Sequence, residues 1–404
     1  MCGASHYQLG YALSKRLFLS HTAAASGAEL ALLRLLRNSS RASNVVAFAS
    51  DGPLVGEFER AGVEVHVQRS SAQAMAGRRN DPSVYRFVRS VGLLFSYGWH
   101  LGGWIRERDI GVVIAYSIKS LIYGAVAARR AGVPLVWSVH DRIASDSFGA
   151  VKAVMLRLFG LLIPDAVIVN SKATRSTVWA AGKPILELPP GIETAGPGGR
   201  RPAGGTLQQV AMVGRLCPWK GQMEFIEAFE RVFTGTTVQG VIIGGALFGE
   251  EHYETAIKER VAGGTCPDQI RFTGAVDNVE ELLRQSEIMV HASTIPEPFG
   301  AVVLEGLDAG CAVVATQPGG PAEIITDEKN GLLVPCGDVD ALETALRRLQ
   351  DDDLRAELAN AGIGRASNFD VRLLADRAET WFSSVNSRIA RSGMRCFRAS
   401  RDGQ

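Results

Sequence analysis

The chain of 404 residues lacks a CxxC pair, and its six cysteines, Cys2, Cys217, Cys266, Cys311, Cys336 and Cys396, are scattered without metal-ligand spacing. That distribution argues against a disulfide framework or a zinc site and for a reducing compartment. No uninterrupted run of about 18 apolar residues occurs, so no spanning helix is expected. The opening MCGASHYQLGYALSKRLFLS has neither a long apolar core behind a basic head nor a small-residue cleavage site. A cytoplasmic location is therefore expected. Excess charge is scarce as well: the net charge is +1, with hydrophobic residues at 46% and charged residues at 21%. This is the composition of a globular protein, and its length suggests two domains.

The small net charge hides an asymmetry. Residues 1–195 carry 22 Lys and Arg against 13 Asp and Glu, residues 196–386 carry 16 against 28, and the last 18 residues carry 5 against 1. A basic half joined to an acidic half suggests different partners for each, the alternative being drift of surface charge.

Apolar runs rich in β-branched residues recur as RLFLS, NVVAFAS, VEVHV, GVVIAYS, PLVWSVH and AVIVNS, separated by segments long enough for helices. Such spacing predicts βαβ units and a parallel sheet. The series pauses at GPGGRRPAGG, a Gly/Pro linker over 196–205, and restarts with QQVAMVG, VQGVIIGG, DQIRFTG, EIMVHAS and CAVVATQ. The expected architecture is α/β: a Rossmann-like domain over 1–195, a second over 206–370, a terminal helix over 371–386 and a basic tail over 387–404. Open sheets of this kind bind ligands at the carboxyl ends of their strands, so a site is expected in a cleft between facing domains.

In VGRLCPWKGQ a strand runs through Gly214 to Arg215 and on to Lys220 and Gly221 at the mouth of a helix. Two cations with glycine beside them suit a doubly charged phosphate group, although an isolated RxxxxK would be read as a solvated loop. The stretch PEPFGAVVLEGLDAG places Glu297 in a proline-flanked turn and Glu305 in the following helix. Backbone N–H groups around Phe299 and Gly300 would offer that helix's N-terminus to an oxyanion or sugar hydroxyls. Glu305 is expected to be buried among Val302, Val303, Leu304 and Leu307, and hence to need hydrogen bonds such as those of a ribose diol. The plain alternative for the pair is an exposed turn glutamate and a helix-capping one.

GRLxxWKG, VIIGG, FTGAV, a strand-end His-Ala-Ser, the ExxxxxxxE of Glu297 and Glu305, PGGPAEII and NGLLV follow one another across 210–335. In order and spacing this run resembles the family 4 retaining glycosyltransferases of the GT-B fold. The resemblance implies that Arg215 and Lys220 grip the diphosphate of a UDP- or GDP-linked sugar donor, that Glu305 binds the ribose and that Glu297 contacts the donor sugar. It also implies transfer to an acceptor hydroxyl in polysaccharide, glycolipid or cell-envelope glycan synthesis. Lys220→Ala is expected to cost turnover far more than folding. Gly319, Gly320 and Glu323 match a GGxxE segment whose role is read as structural.

The first half resembles the family more loosely. Lys15 to Leu36 supplies a strand, a small-residue loop and a helix, with Ser26 where the family often has a glycine and Gly27 left as the candidate for phosphate approach. That loop is neither GxGxxG nor GxxxxGK[ST], which disfavours dinucleotide binding and P-loop hydrolysis. The resemblance extends to His140, at a strand end in VWSVHD, as a group touching the donor sugar; the alternative is a satisfied structural histidine. Asp141 is read as a cap for the next helix before a general base. No DxD pair lies near the donor loops, so neither a metal nor another cofactor is expected, and no nucleic acid.

Two apolar stretches dotted with cations, Ser83 to Ile105 and Phe148 to Pro164, are read first as core helices and second as segments lying on an anionic bilayer. In the tail, Arg388, Arg391, Arg395, Arg398 and Arg401 would share a face if helical, suited to acidic lipid or to the acidic half. The rival functions are a sugar-nucleotide epimerase or phosphorylase on the same fold, and a non-catalytic two-domain sugar-binding protein.

Overall fold

The computed structural model describes residues 15–39, 44–70, 84–195, 205–247 and 249–399, and their side chains except over 84–91 and 386–399. Residues 196–204 of the expected linker, Ser83 and Arg401 fall outside them, as do the side chains of Arg388, Arg391, Arg395 and Arg398. The chain divides into two compact units, one running to Gly191 and resuming at Val371, the other spanning Ile192–Asp370.

The first unit holds seven strands: β1 (Lys15–Ser20), β2 (Asn44–Phe48), β3 (Glu64–Val67), β4 (Ile110–Ala115), β5 (Leu135–Val139), β6 (Ala166–Val169) and β7 (Ile185–Glu187). They pair in the order β3-β2-β1-β4-β5-β6-β7, every neighbour parallel. The second holds β8 (Gln209–Val213), β9 (Gln239–Ile243), β10 (Ile270–Gly274), β11 (Ile288–His291), β12 (Ala312–Gln317) and β13 (Leu332–Pro335). Their order is β10-β9-β8-β11-β12-β13, again wholly parallel. Each is a doubly wound Rossmann-like sheet.

Parallel strands covered by helices on both faces must be apolar throughout. All six residues of β4 are buried, and so are the first five of β12. Helices keep an apolar stripe instead: in Gln222–Phe233, Phe225, Phe229 and Phe233 recur every fourth residue with successive rings 5.9 and 5.0 Å apart. The expected strand series omits β7 and β13. Both are short edge strands ending at or before proline, where the pattern is weakest.

Strand order reverses between β1 and β4 in the first unit and between β8 and β11 in the second. At such a switch point the connections leave in opposite directions, opening a crevice at the strands' carboxyl ends. Ser20 and Tyr116 stand there in the first unit, Gly214 and Ala292 in the second.

Among the described residues no helix is long and apolar enough to cross a membrane. The helix Ala150–Leu162 packs on the core through Ala153, Leu156, Phe159 and Gly160, while its opposite face is exposed. Asp141 caps no helix: Ala144 and Gly149 hold the N-cap positions that follow it.

The terminal helix, Val371–Ala399, joins the first unit through a buried ion pair. Arg16 on β1 donates to Glu379 at 2.6 Å with both side chains under a tenth exposed, and its guanidinium lies 5.0 Å from the Phe382 ring centroid. Removing one partner of such a pair leaves an uncompensated charge in the core. Arg16→Met should therefore destabilise the protein by about 3–5 kcal/mol in urea unfolding, and Arg16→Met with Glu379→Leu should recover most of the loss. Equal stability of the wild type and the single variant would mean that the helix does not dock through this pair.

Candidate functional site

In the second unit the chain leaves β8 at Gly214, passes Arg215 and makes one 3-10 turn, Pro218–Lys220, before the helix Gln222–Phe233 begins. Gly221 joins the two with φ +81°, and a Cβ there would sit 1.9 Å from the Ala292 carbonyl oxygen. Only glycine lets the loop after β8 press so closely on the loop after β11. Backbone contact continues beside it, where Thr294 N–H donates to the Trp219 carbonyl at 2.9 Å.

That proximity brings Lys220 to Glu297. The ammonium donates to Oε1 at 2.5 Å, with 13% and 10% of the two side chains exposed. The other oxygen, Oε2, accepts from Ser293 Oγ at 2.6 Å and lies 2.7 Å from His291 Nε2. Thr316 approaches the far side of the imidazole, its N–H and Oγ1 at 3.5 and 3.2 Å from Nδ1. In the tautomer whose Nδ1 accepts from Thr316, Nε2–H donates to Glu297. Burial alone would push the Glu297 carboxyl up. The Lys220 ammonium, with His291, overcomes that penalty and holds it well below the usual carboxylate range.

Trp219 completes the cationic wall. Lys220 Nζ lies 4.5 Å from its ring centroid and the Arg215 guanidinium carbon 6.0 Å. One indole thus carries both candidate phosphate cations on its π surface. Gln222, wholly buried, donates from Nε2 to the Arg215 carbonyl at 3.0 Å and fixes that end of the loop.

On the other side of Glu297 the turn reaches Phe299, which is buried against Phe369, and Gly300, which is the N-cap of the helix Ala301–Ala309. No side chain caps that end; of the first-turn amides Val303 N–H donates to the Gly300 carbonyl at 2.9 Å, and those of Ala301 and Val302 precede it at the helix mouth. Glu305 is one turn further in and only half-buried, against the expectation of burial: its Cα falls between the core-facing Leu304 and Gly306 while its side chain lies at the margin. The Gly319-Gly320 pair braces the turn. Gly320 N–H donates to the Glu297 carbonyl at 2.9 Å, and a Cβ on Gly320 would lie 2.1 Å from Phe299 Cα.

The remaining candidates belong to the first unit. His140 follows β5, with Nε2 2.9 Å from Ser138 Oγ, its ring 4.2 Å from Tyr116 and its carbonyl accepting from Asn170 Nδ2. Burial pulls its pKa down to about 4, so it is an uncharged imidazole at neutral pH. Gly27 opens the helix Gly27–Arg37 on an exposed surface with open space where a side chain would be. Beside it Glu29, only 2% exposed, accepts from Ser20 Oγ at 2.8 Å and from Ser26 Oγ, tying down the loop after β1. Burial raises its pKa against those two hydrogen bonds.

The structure thus gathers Arg215, Lys220 and Glu297 at one switch point, with Phe299, Gly300 and Glu305 on the adjoining turn and helix. Trp219, His291 and Ser293 stand in the GRLxxWKG and strand-end His-Ala-Ser motifs without a role having been assigned to them, and Thr316 is an addition that sequence reading missed. The alternation of His291 and Ser293 at the strand end sets both side chains on one side of an extended chain. Among the described residues no three His, Cys, Asp or Glu side chains group as a metal site.

The ion pair revises the expectation that Lys220 can be removed at little cost to folding. Lys220→Met should lower stability by about 3–5 kcal/mol in urea unfolding, and adding Glu297→Gln should restore most of it. A wild-type unfolding curve for the single variant would show that the pair is not formed in solution. The histidines set the acid side. His140 and His21 both titrate near 4 in the folded state, through burial, against an ordinary 6.5. Between those values the unfolded chain binds protons that the folded one refuses, so stability falls as pH drops from 6.5 to 4. The depressed Glu297 carboxyl adds a further loss only as pH falls below the ordinary carboxylate value. His140→Gln should shrink the loss between pH 7 and pH 5 by about 2 kcal/mol in paired urea titrations.

Two family descriptions match the chain: "Glycosyltransferase Family 4" over residues 54–195 and "Glycosyl transferases group 1" over residues 201–365. A phosphatidyl-myo-inositol mannosyltransferase of Mycolicibacterium smegmatis is 25% identical over 364 residues, covering 88% of this chain and 89% of that protein. A D-inositol 3-phosphate glycosyltransferase of Acidothermus cellulolyticus is 30% identical over 276 residues, 61% of each chain. The crystal structure of Anabaena HepE in complex with UDP-glucose superposes with a TM-score of 0.77 at 23% identity, covering 92% of this chain and all of that one, and shows the fold. With two parallel Rossmann-like units and these matches along both, the chain belongs to the family 4 glycosyltransferases of the GT-B fold.

Proposed function

We propose that this glycosyltransferase moves a sugar from a nucleotide-diphosphate donor to an acceptor hydroxyl with retention of anomeric configuration. The observation that carries this reading is the buried Lys220–Glu297 pair at the β8/β11 switch point, with Arg215 beside it on Trp219. HepE was crystallised with UDP-glucose, and one relative's name specifies a phosphatidyl-inositol acceptor.

Arg215 and Lys220 bind the donor diphosphate and neutralise the charge that grows on it as the glycosidic bond breaks. Fixed cations in a dry site stabilise such a leaving group without reorganising at the moment of reaction. Drawing Lys220 toward the diphosphate releases Oε1 of Glu297, which then accepts from a sugar hydroxyl while His291 and Ser293 hold Oε2 in place. Glu297 is an orienting group and not a double-displacement nucleophile. The uncapped amides at Ala301 and the Glu305 carboxylate take the pyrophosphate and the ribose diol. In the first unit His140, uncharged, can offer a hydrogen bond to a hydroxyl at the carboxyl end of β5 without adding charge there.

UDP or GDP should raise the melting temperature, since a ligand at about a hundred times its Kd stabilises the folded state by about 2.7 kcal/mol. Arg215→Ala should weaken that nucleotide by roughly tenfold or more, read against the variant's own ligand-free melting point. Transfer products examined by proton NMR should keep the donor's anomeric configuration. Absence of binding heat with every nucleoside diphosphate, or an inverted product, would overturn the reading.

A further inference from the structure

The helix Ala150–Leu162 carries an apolar stripe on its outside. Val151 is 74% exposed, Val154 44%, Met155 38%, Leu158 40% and Leu162 74%, positions that fall on one helical face. Soluble surfaces seldom leave such a contiguous row uncovered. Trp179, 41% exposed, stands next to it: its carbonyl lies against Gly160, and Arg157 lies 5.8 Å from its ring centroid. The inner edge is seated closely, because a Cβ on Gly160 would meet the Trp137 ring at 2.7 Å. The stripe therefore belongs to a firmly packed helix.

Charge decides what it meets. The helix has no acidic residue and two cations, exposed Lys152 and partly buried Arg157. From residue 142 to 183 there are six Lys and Arg against two acids; of those acids Asp146 pairs with Arg142 at 3.0 Å and Asp165 accepts from the Leu135 N–H. On the same side of the sheet, the helix Val84–Arg106 exposes Phe95 and Trp99 by more than half, with Arg130 stacked 4.3 Å from the Trp99 ring centroid. Apolar side chains projecting between cations, with aromatics at the margin, match the layering of an anionic lipid interface.

We propose that this outer face, centred on the helix Ala150–Leu162, lies on an anionic bilayer surface with its stripe entering the headgroup–acyl boundary. Arg157 donates to the Ile143 carbonyl at 2.9 Å, which ties the helix to the loop that leaves His140. A lipid-linked acceptor would then be delivered beside the carboxyl end of β5. That consequence for the acceptor rests on the transfer reading above, whereas the surface itself does not.

Flotation with phosphatidylcholine vesicles, with and without phosphatidylglycerol, tests the surface on the full chain. The wild type should float with the phosphatidylglycerol vesicles, less so as salt rises, and stay in solution with phosphatidylcholine alone. Leu158→Glu with Leu162→Glu should lower vesicle partition by roughly tenfold or more without moving the melting temperature, because both side chains are solvent-facing. Lys152→Glu should weaken it only on anionic vesicles. Failure of the wild type to float, or equal floating by the double variant, overturns the proposal. So does sedimentation of the wild type as a dimer that the double variant abolishes, which would assign the stripe to a second copy. Nucleotide binding measured on the same samples separates the two readings: intact binding without flotation sinks only the surface, and flotation without binding sinks only the donor assignment.

Discussion

A carboxylate that is nearly buried cannot stay charged without a cation in contact, and in the second unit that requirement joins Glu297 to Lys220. Much else follows from meeting it. The loop after β8 must approach the loop after β11, which demands glycine at position 221, and the approach sets Trp219 under two cations. The turn carrying Glu297 must hold its place, so Gly319 and Gly320 press on its backbone and the Pro298–Gly300 segment enters the next helix at a fixed angle. The sheet supplies the frame: only at the reversal of strand order do two neighbouring strand ends send their chains apart and leave room for these loops to meet.

The pair is also poised. Oε2 is held by His291 and Ser293, with Thr316 behind the imidazole, while among the described residues Oε1 takes its hydrogen bond from Lys220. On the donor reading proposed above, an incoming dianion would compete for that lysine and leave the rest of the arrangement standing. Rigid support on one oxygen and an exchangeable partner on the other let the carboxylate change contacts without moving. The orienting group is therefore set before the ligand arrives, and little ordering cost falls on the binding step.

How much of this was readable in the chain depends on the range of the interaction. The central strands were visible because parallel strands buried on both faces spell continuous apolar runs, as in GVVIAYS and CAVVATQ, and the edge strands Glu64–Val67 and Ile270–Gly274 through the β-branched and aromatic residues of VEVHV and DQIRFTG. Ile185–Glu187 and Leu332–Pro335 were not, being short edge segments bounded by proline. Arg215, Lys220, Glu297 and Glu305 were named from local spacing and family likeness. Their mutual arrangement was out of reach: Lys220 and Glu297 are 77 residues apart, and nothing in either neighbourhood announces the other. Spacing placed Glu305 correctly in the helix but could not tell a core-facing position from its margin. Asp141 fits a capping signature, yet the helix starts later than the signature implies. The exposed row on Ala150–Leu162 reads in sequence like any core stripe, since periodicity reveals a face and not what covers it.

Net charge was a poor guide to where buried cations would gather. The second half is the acidic one, yet it carries Arg215 and Lys220 at the switch point. Many of its acids are spent elsewhere on surface arginines, as Asp340, Glu343 and Glu227 are on Arg231, where water screens each contact. Charge counted over a domain averages such screened pairs with the few that matter. What makes a strong site is desolvation: two cations on one indole beside a carboxylate held in the charged form exert a field that dozens of exposed charges do not cancel. The first unit shows the complement, for there burial keeps His140 and His21 uncharged within the more basic half. In both units the electrostatics of the strand ends are set by packing, and the surface charge is free to serve contacts with larger partners.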